Sequence, residues 1–243
     1  MLPPTENQKP WYLKVSICFD KKSLGGVMSF SMYSSSKADY GEHDRALKQY
    51  QEQGTKKALA MSNRGPVRYD SAGRLDQSIV NEYRKNGFYI FTGVLEQEEL
   101  DQLKDDVEDI WRRAPQNEDS SIDSQGRPAI GLDCKSRNFT WDRPHSEPIV
   151  GTTISHRRHP AKMIEPEVGE DAPEEILQIL LGSLQFSDAC LRIYGHPDLL
   201  RIAEAINGED FVPFNESIWV KHPRLGGSVA WHQDGFTHWD SPE

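Results

Sequence analysis

The sequence predicts an α+β fold. Four segments between residues 76 and 206 carry apolar residues at helical spacing, the period is lost near Phe211, and the chain beyond it alternates like strands. With 243 residues, the chain is long enough for one large domain or for a domain plus an extension.

Residues 1–75 read as a partly disordered N-terminal extension, because Ser34-Ser35-Ser36, scattered glycines and the polar stretch from Lys48 to Lys57 interrupt every period. Within it, Trp11 to Phe19 alternates well enough for a strand, and Asp44 to Met61 reads as a polar helix interrupted at Gly54. Order begins at Asp76, an N-cap for a helix with Ile79, Val80 and Tyr83 on one face and Gly87 past its end. Phe88-Tyr89-Ile90-Phe91 follows as a buried strand. From Glu96 to Arg113, Leu100, Leu103, Val107, Ile110 and Trp111 recur at helical spacing; acids lie early, Arg112 and Arg113 late, and Pro115 stops the helix.

From Gln116 to about Pro173 the abundance of Pro, Asp, Ser and Arg predicts a long loop. Two further helices are expected at Glu174 to about Ser187 and Pro197 to Ile206, the second with proline in its first turn and Gly208 near its end. Ser217 to Lys221 then reads as a strand, Pro223 to Gly227 as a turn, and Ser228 to Phe236 as a second extended segment.

Charge and composition narrow the function. The 38 acidic residues outnumber the 28 basic ones, for a net charge of −10, and no basic block stands out, which argues against a nucleic-acid partner. No apolar run approaches the roughly 18 residues of a membrane span, and the first residues lack the pattern of a secretory signal. Cys18, Cys134 and Cys190 are odd in number and widely spaced, with no C-x-x-C pair, which suits a reducing compartment; the expected location is cytoplasmic.

The chemistry lies in Trp231-His232-Gln233-Asp234. On a strand, residues two apart project from the same face with Cα atoms roughly 6.6 Å apart, so the His232 imidazole and Asp234 carboxylate can reach one metal ion. Three such ligands, two His and one carboxylate, make the open site of non-haem Fe(II) oxygenases. By itself the spacing also fits a surface His and Asp near a turn.

The surrounding residues add to the pair. Lys221-His222-Pro223-Arg224-Leu225-Gly226-Gly227 followed by Trp231-His232-Gln233-Asp234-Gly235 resembles the phytanoyl-CoA dioxygenase family, in which a K-x-P-x-x-G-G-type turn precedes W-H-Q-D. Upstream, Asn86-Gly87-Phe88-Tyr89-Ile90-Phe91-Thr92-Gly93-Val94-Leu95 resembles the family's opening, and Gly195-His196-Pro197-Asp198-Leu199-Leu200 its pre-barrel helix. The resemblance covers residues 76–243 and implies helices packed on a double-stranded β-helix, or jelly-roll, barrel.

It also implies Fe(II) and 2-oxoglutarate as cofactors, His232 and Asp234 as metal ligands, and a hydroxylated substrate that is a small or lipid-like molecule. Lys162 is the nearest match to a lysine that some relatives place on 2-oxoglutarate, although it reads more readily as a solvated surface residue. Lys221 shares one strand face with Ser217 and Trp219 and is a second pocket candidate.

The family's second histidine and its 2-oxoglutarate-pairing arginine are expected well downstream of W-H-Q-D, whereas nine residues follow Asp234 here. His238 would lie roughly 13 Å from Asp234 on an extended chain. His145, His156 and His159 could complete a metal site or stand solvated in the long loop. The expectation is therefore an incomplete barrel truncated at its C-terminal side, whose exposed strand edges a homodimer or partner would cover. That form could be a dioxygenase lacking the distal half of its site. The alternative is a catalytically inactive binding or regulatory protein, and after it a cupin-like metal protein without 2-oxoglutarate.

Overall fold

A computed structural model describes residues 43–145, 167–212 and 216–226. They fall into two compact units: the first takes 53–107 and 187–212, the second 43–52, 108–145, 167–186 and 216–226. The strand expected at Trp11 to Phe19 and the extended segment at Ser228 to Phe236 lie outside the described residues.

Helix α1, Asp44–Leu59, is polar throughout and buries no residue. It runs through Gly54 without the expected interruption, since one glycine costs a helix interior only about 1 kcal/mol. Asp44 in its first turn and Lys56 and Lys57 in its last match the helix dipole.

The first unit is built on caps that the sequence announces. Helix α2, Gln77–Asn86, starts at Asp76, whose side chain accepts the Ser78 N–H at 2.8 Å, and ends at Gly87, whose φ of 81° lets its N–H reach the Tyr83 carbonyl at 2.7 Å. Ile79 and Val80 from α2 close over Leu75 and over Ile202 of α5, Pro197–Asn207, with Val67, Tyr69, Tyr89 and Phe91 around them.

Strand β1, Arg64–Pro66, pairs in parallel with β2, Ile90–Thr92, and the buried Asn63 ties the two by donating from Nδ2 to the Phe88 carbonyl. Only one face of β2 is covered: the Tyr89 and Phe91 rings meet at a tilt of 46° with centres 4.8 Å apart, while Phe88 and Ile90 are exposed, correcting the expectation of a buried strand.

Helix α3, Gln97–Arg113, forms as expected. Its Asp106 carboxylate accepts the Ser187 hydroxyl at 2.7 Å and the Ala189 N–H at 3.1 Å at the start of α4, Asp188–Tyr194, in the same unit. Helix α5 is capped by His196, whose Nδ1 accepts the Asp198 N–H at 3.2 Å, and begins with Pro197.

The second unit overturns two sequence expectations. Instead of a helix from Glu174 to Ser187, Ile176–Leu181 is a strand, β4, followed by a short 3-10 turn at Ser183–Gln185. Its apolar residues, interrupted only by the buried Gln178, are those of a central strand buried on both faces, a pattern that periodicity alone cannot separate from a buried helix. The expected long loop contributes β3, Phe139–Asp142, antiparallel to β4, which pairs in turn with β5, Ser217–Trp219. Thr140 faces Ile179 and Trp141 faces Leu177, so Gln178 is an extra residue in β4, a bulge. The bulge turns both Leu177 and Leu180 toward Phe139, Ile110 and Ala114 in the core. The described residues are thus α+β with one two-stranded and one three-stranded sheet, and they form no closed barrel.

Each unit also holds a hairpin built from one short code, D-S-x-G-R: Asp70 to Arg74 in the first, Asp123 to Arg127 in the second. In both, the aspartate Oδ1 accepts two backbone N–H groups, from Ala72 and Arg74 or from Gln125 and Arg127, at 2.8 to 3.0 Å. In both, Oδ2 receives the arginine fork, and the glycine stands at φ of 76° or 75°.

Candidate functional site

The turn that precedes W-H-Q-D is tightly held. Strand β5 brings Ser217 and Trp219 to one face, as expected, with the Trp219 indole N–H donating to the Ser217 hydroxyl at 2.9 Å. The Val220 N–H adds one more bond to the sheet, to the Gln178 carbonyl at 2.8 Å. Lys221 lies just past the strand, and partial burial holds its ammonium below the ordinary lysine value.

His222 is buried, and its Nε2–H donates to the Leu177 carbonyl of β4 at 2.8 Å. Its ring lies 5.2 Å from the Trp111 ring. Burial lowers the affinity of the imidazole for a proton, and the bond to the Leu177 carbonyl only partly offsets this, so His222 is neutral at pH 7. Leu225 is fully buried, and Gly226 donates to the His222 carbonyl at 2.9 Å. A side chain at Gly226 would meet the His222 backbone N and O at 3.1 Å, which explains glycine there.

From the end of β3, His145 closes on this turn. Its backbone N–H donates to the Leu225 carbonyl at 2.7 Å, and its Nε2–H donates to the Arg224 carbonyl. His145 and Arg224 both stand in the left-handed region, at φ of 60° and 68°. Of the three histidines offered above for a metal site, His145 is thus engaged with backbone, while His156 and His159 lie outside the described residues. The roles of His145 and His222 escaped sequence reading; the only signal was the position of His222 inside the K-x-P turn.

Lys162, His232, Asp234 and His238 also lie outside the described residues. Among the described residues, no three His, Cys, Asp or Glu side chains gather where they could hold a metal ion. What the sequence offers the iron implied by the resemblance is one imidazole and one carboxylate at i and i+2, two of the three ligand types of an open Fe(II) site.

In the first unit, Asp198 is ringed by polar partners. The Tyr69 hydroxyl donates to its carboxylate, and the Arg201 guanidinium lies 5.2 Å above the Tyr69 ring. Burial, then the hydrogen bond to Asp198 and its charge, pushes the Tyr69 hydroxyl up to about 12, so it stays a proton donor at any working pH. No helix among the described residues is long and apolar enough to cross a membrane.

The chain has no match among curated proteins and none among solved structures. The family model for phytanoyl-CoA dioxygenase (PhyH) matches residues 83–242, a span that runs from α2 through the turn to W-H-Q-D. Matched over most of its length, the chain belongs to the phytanoyl-CoA dioxygenase family.

Proposed function

We propose that the protein is an Fe(II)- and 2-oxoglutarate-dependent dioxygenase that hydroxylates a small or lipid-like molecule, with His232 and Asp234 as iron ligands. The observation that carries this reading is the family match at residues 83–242, which includes the Trp231-His232-Gln233-Asp234 motif. When bound, the iron supplies the redox chemistry that couples 2-oxoglutarate decarboxylation to use of dioxygen.

The chain's own part is to hold and orient. His232 and Asp234 leave metal positions open for the co-substrate. Lys221, and Lys162 with it, would face the dicarboxylate as cations. A cytoplasmic location belongs to the same reading and is supported by the free thiols of Cys134 and Cys190. A homodimer that covers strand edges belongs to it as well.

Succinate release from 2-oxoglutarate tests the assignment. The chain should form succinate only with Fe(II) present, and His232→Ala should reduce this to background. Turnover unchanged in His232→Ala would overturn the ligand assignment. No succinate under any condition would favour a non-catalytic binding protein.

A further inference from the structure

We infer that Asn207-Gly208, at the end of α5, is a site of spontaneous modification at which the asparagine converts to aspartate or isoaspartate, while Asn86-Gly87, at the end of α2, is locked against the same reaction. These are the two Asn-Gly steps of the sequence, and both close a helix of the first unit. The chemistry needs no co-reactant but water. The Gly208 backbone nitrogen gives up its proton to solvent and attacks Cγ of Asn207. The new C–N bond closes a succinimide, the Cγ–Nδ2 bond breaks, and the nitrogen takes up a proton and leaves as ammonia. Water then opens the ring at either carbonyl, giving aspartate or isoaspartate. Glycine permits the attack most readily, since no Cβ crowds its nitrogen.

Three differences separate the two steps. First, the departing nitrogen is held at Asn86, where Nδ2 donates to the Glu82 carbonyl at 2.8 Å and to the Glu82 carboxylate at 3.0 Å. Asn207 is exposed, and its side chain has no hydrogen bond among the described residues. Second, the chain beyond Gly87 is pinned, because the Phe88 carbonyl accepts from the Asn63 side chain and the Ile90 N–H donates to the Asn63 carbonyl at 2.9 Å. Beyond Gly208 come the exposed Glu209 and Asp210, followed by one long bond, from the Phe211 N–H to the Gly208 carbonyl at 3.4 Å. Third, Gly87 at φ 81° and ψ −4° wraps the end of α2 in a left-handed cap, whereas Gly208 at φ 97° and ψ 169° leads the chain away from α5.

At both steps the attacking nitrogen starts bonded to the last turn, Gly87 to the Tyr83 carbonyl at 2.7 Å and Gly208 to the Glu204 carbonyl at 2.8 Å. The reaction therefore waits on fraying of that turn, and at α5 this bond lacks the supports that surround Asn86. The product bears on the first core. A new carboxylate stands at the negative end of the α5 dipole, and isoaspartate adds a methylene to the main chain next to Ile206, which packs with Ala205 against Leu75, Ile79, Val80 and Ile202.

The test incubates the whole folded chain and, separately, peptides from a prior digest, both at mildly alkaline pH. Mass spectrometry follows the mass gained as each amide becomes a carboxylate, and chromatography separates the aspartate and isoaspartate products. In the digest the two steps should convert at similar rates. In the folded chain Asn207 should convert about tenfold faster than Asn86, the margin that two extra side-chain hydrogen bonds allow. Asn207→Gln should abolish the mass gain in the α5 peptide and leave the rate at Asn86 unchanged. Equal rates in the folded chain, or faster conversion at Asn86, would overturn the proposal. So would a mass gain in the α5 peptide that persists in Asn207→Gln, or an Asn207 that stays intact in the folded chain after the digest has converted.

Discussion

The hairpins at Asp70–Arg74 and Asp123–Arg127 are the same object in two settings. Their hydrogen bonds agree one for one: the aspartate N–H reaches the arginine carbonyl at 2.8 Å, the glycine N–H reaches the aspartate carbonyl at 3.0 Å, and the carboxylate gathers the same backbone and guanidinium donors. What differs is the surroundings. The Asp70 side chain keeps 34% of its surface exposed, whereas Asp123 keeps 1%. In the first hairpin the following residue, Leu75, enters the apolar core with Ile79, Val80 and Ile202. In the second, Pro128 follows and is exposed, and the Gln116 side-chain amide instead donates to the Asp123 carbonyl at 2.7 Å. Local hydrogen bonding writes the shape of the turn, and burial decides which residue anchors it.

The largest expected effect separates the two anchors. Leu75→Ala should destabilise the first unit by about 3 kcal/mol, from lost transfer energy and a residual cavity, and should exceed the effect of Asp70→Ala. Chemical denaturation followed by intrinsic fluorescence measures it, and a smaller loss than that of Asp70→Ala would remove the distinction.

The aspartates should rank the other way between hairpins. Asp123→Ala strands buried N–H donors, so its unfolding midpoint should fall further than that of Asp70→Ala, whose donors can turn to water. Acid should sharpen the contrast. For Asp70, the Arg74 N–H and guanidinium hold the carboxyl below the usual range. For Asp123, burial pushes the carboxyl up, but the bonds from Arg127 and Gln125 together outweigh it and leave it lowered. A lowered carboxyl contributes stability above its unfolded value, about pH 4, and loses it as the pH falls through the folded value. Both variants should therefore show a flatter stability curve below about pH 4 than the parent chain, as pH-dependent denaturation would show. Equal midpoints for the two would mean that burial does not set the anchor.

The smallest effect should be the same in both places. Gly73 and Gly126 share a φ near 75° and have nothing within 4 Å of an added Cβ, so Gly→Ala at either costs only backbone strain, about 1 kcal/mol. Unequal costs would show that the two turns differ locally after all.

These hairpins show what reading the sequence missed: D-S-x-G-R occurs twice in plain view, yet its meaning lies in side chain to backbone bonds that periodicity does not register. Helices α2, α3 and α5 were legible because caps and spacing agree, as at Asp76, Gly87 and Pro197. Strand β4 was not, since five apolar residues around Gln178 fit a buried helix or strand equally, and β3 hid in a polar stretch because its partner lies far along the chain. The family was legible through the ordered motifs that lead to W-H-Q-D. The His145 clamp depends on two backbone angles set by tertiary contacts, and no spacing encodes it.

The central claim, that this member of the family holds iron through His232 and Asp234, is tested most directly by the iron content of the purified chain under anaerobic Fe(II) titration. One Fe(II) per chain, lost in both His232→Ala and Asp234→Ala with the unfolding midpoint unchanged, is the predicted result. Iron bound equally by the parent and both variants, or by none of the three, would contradict it.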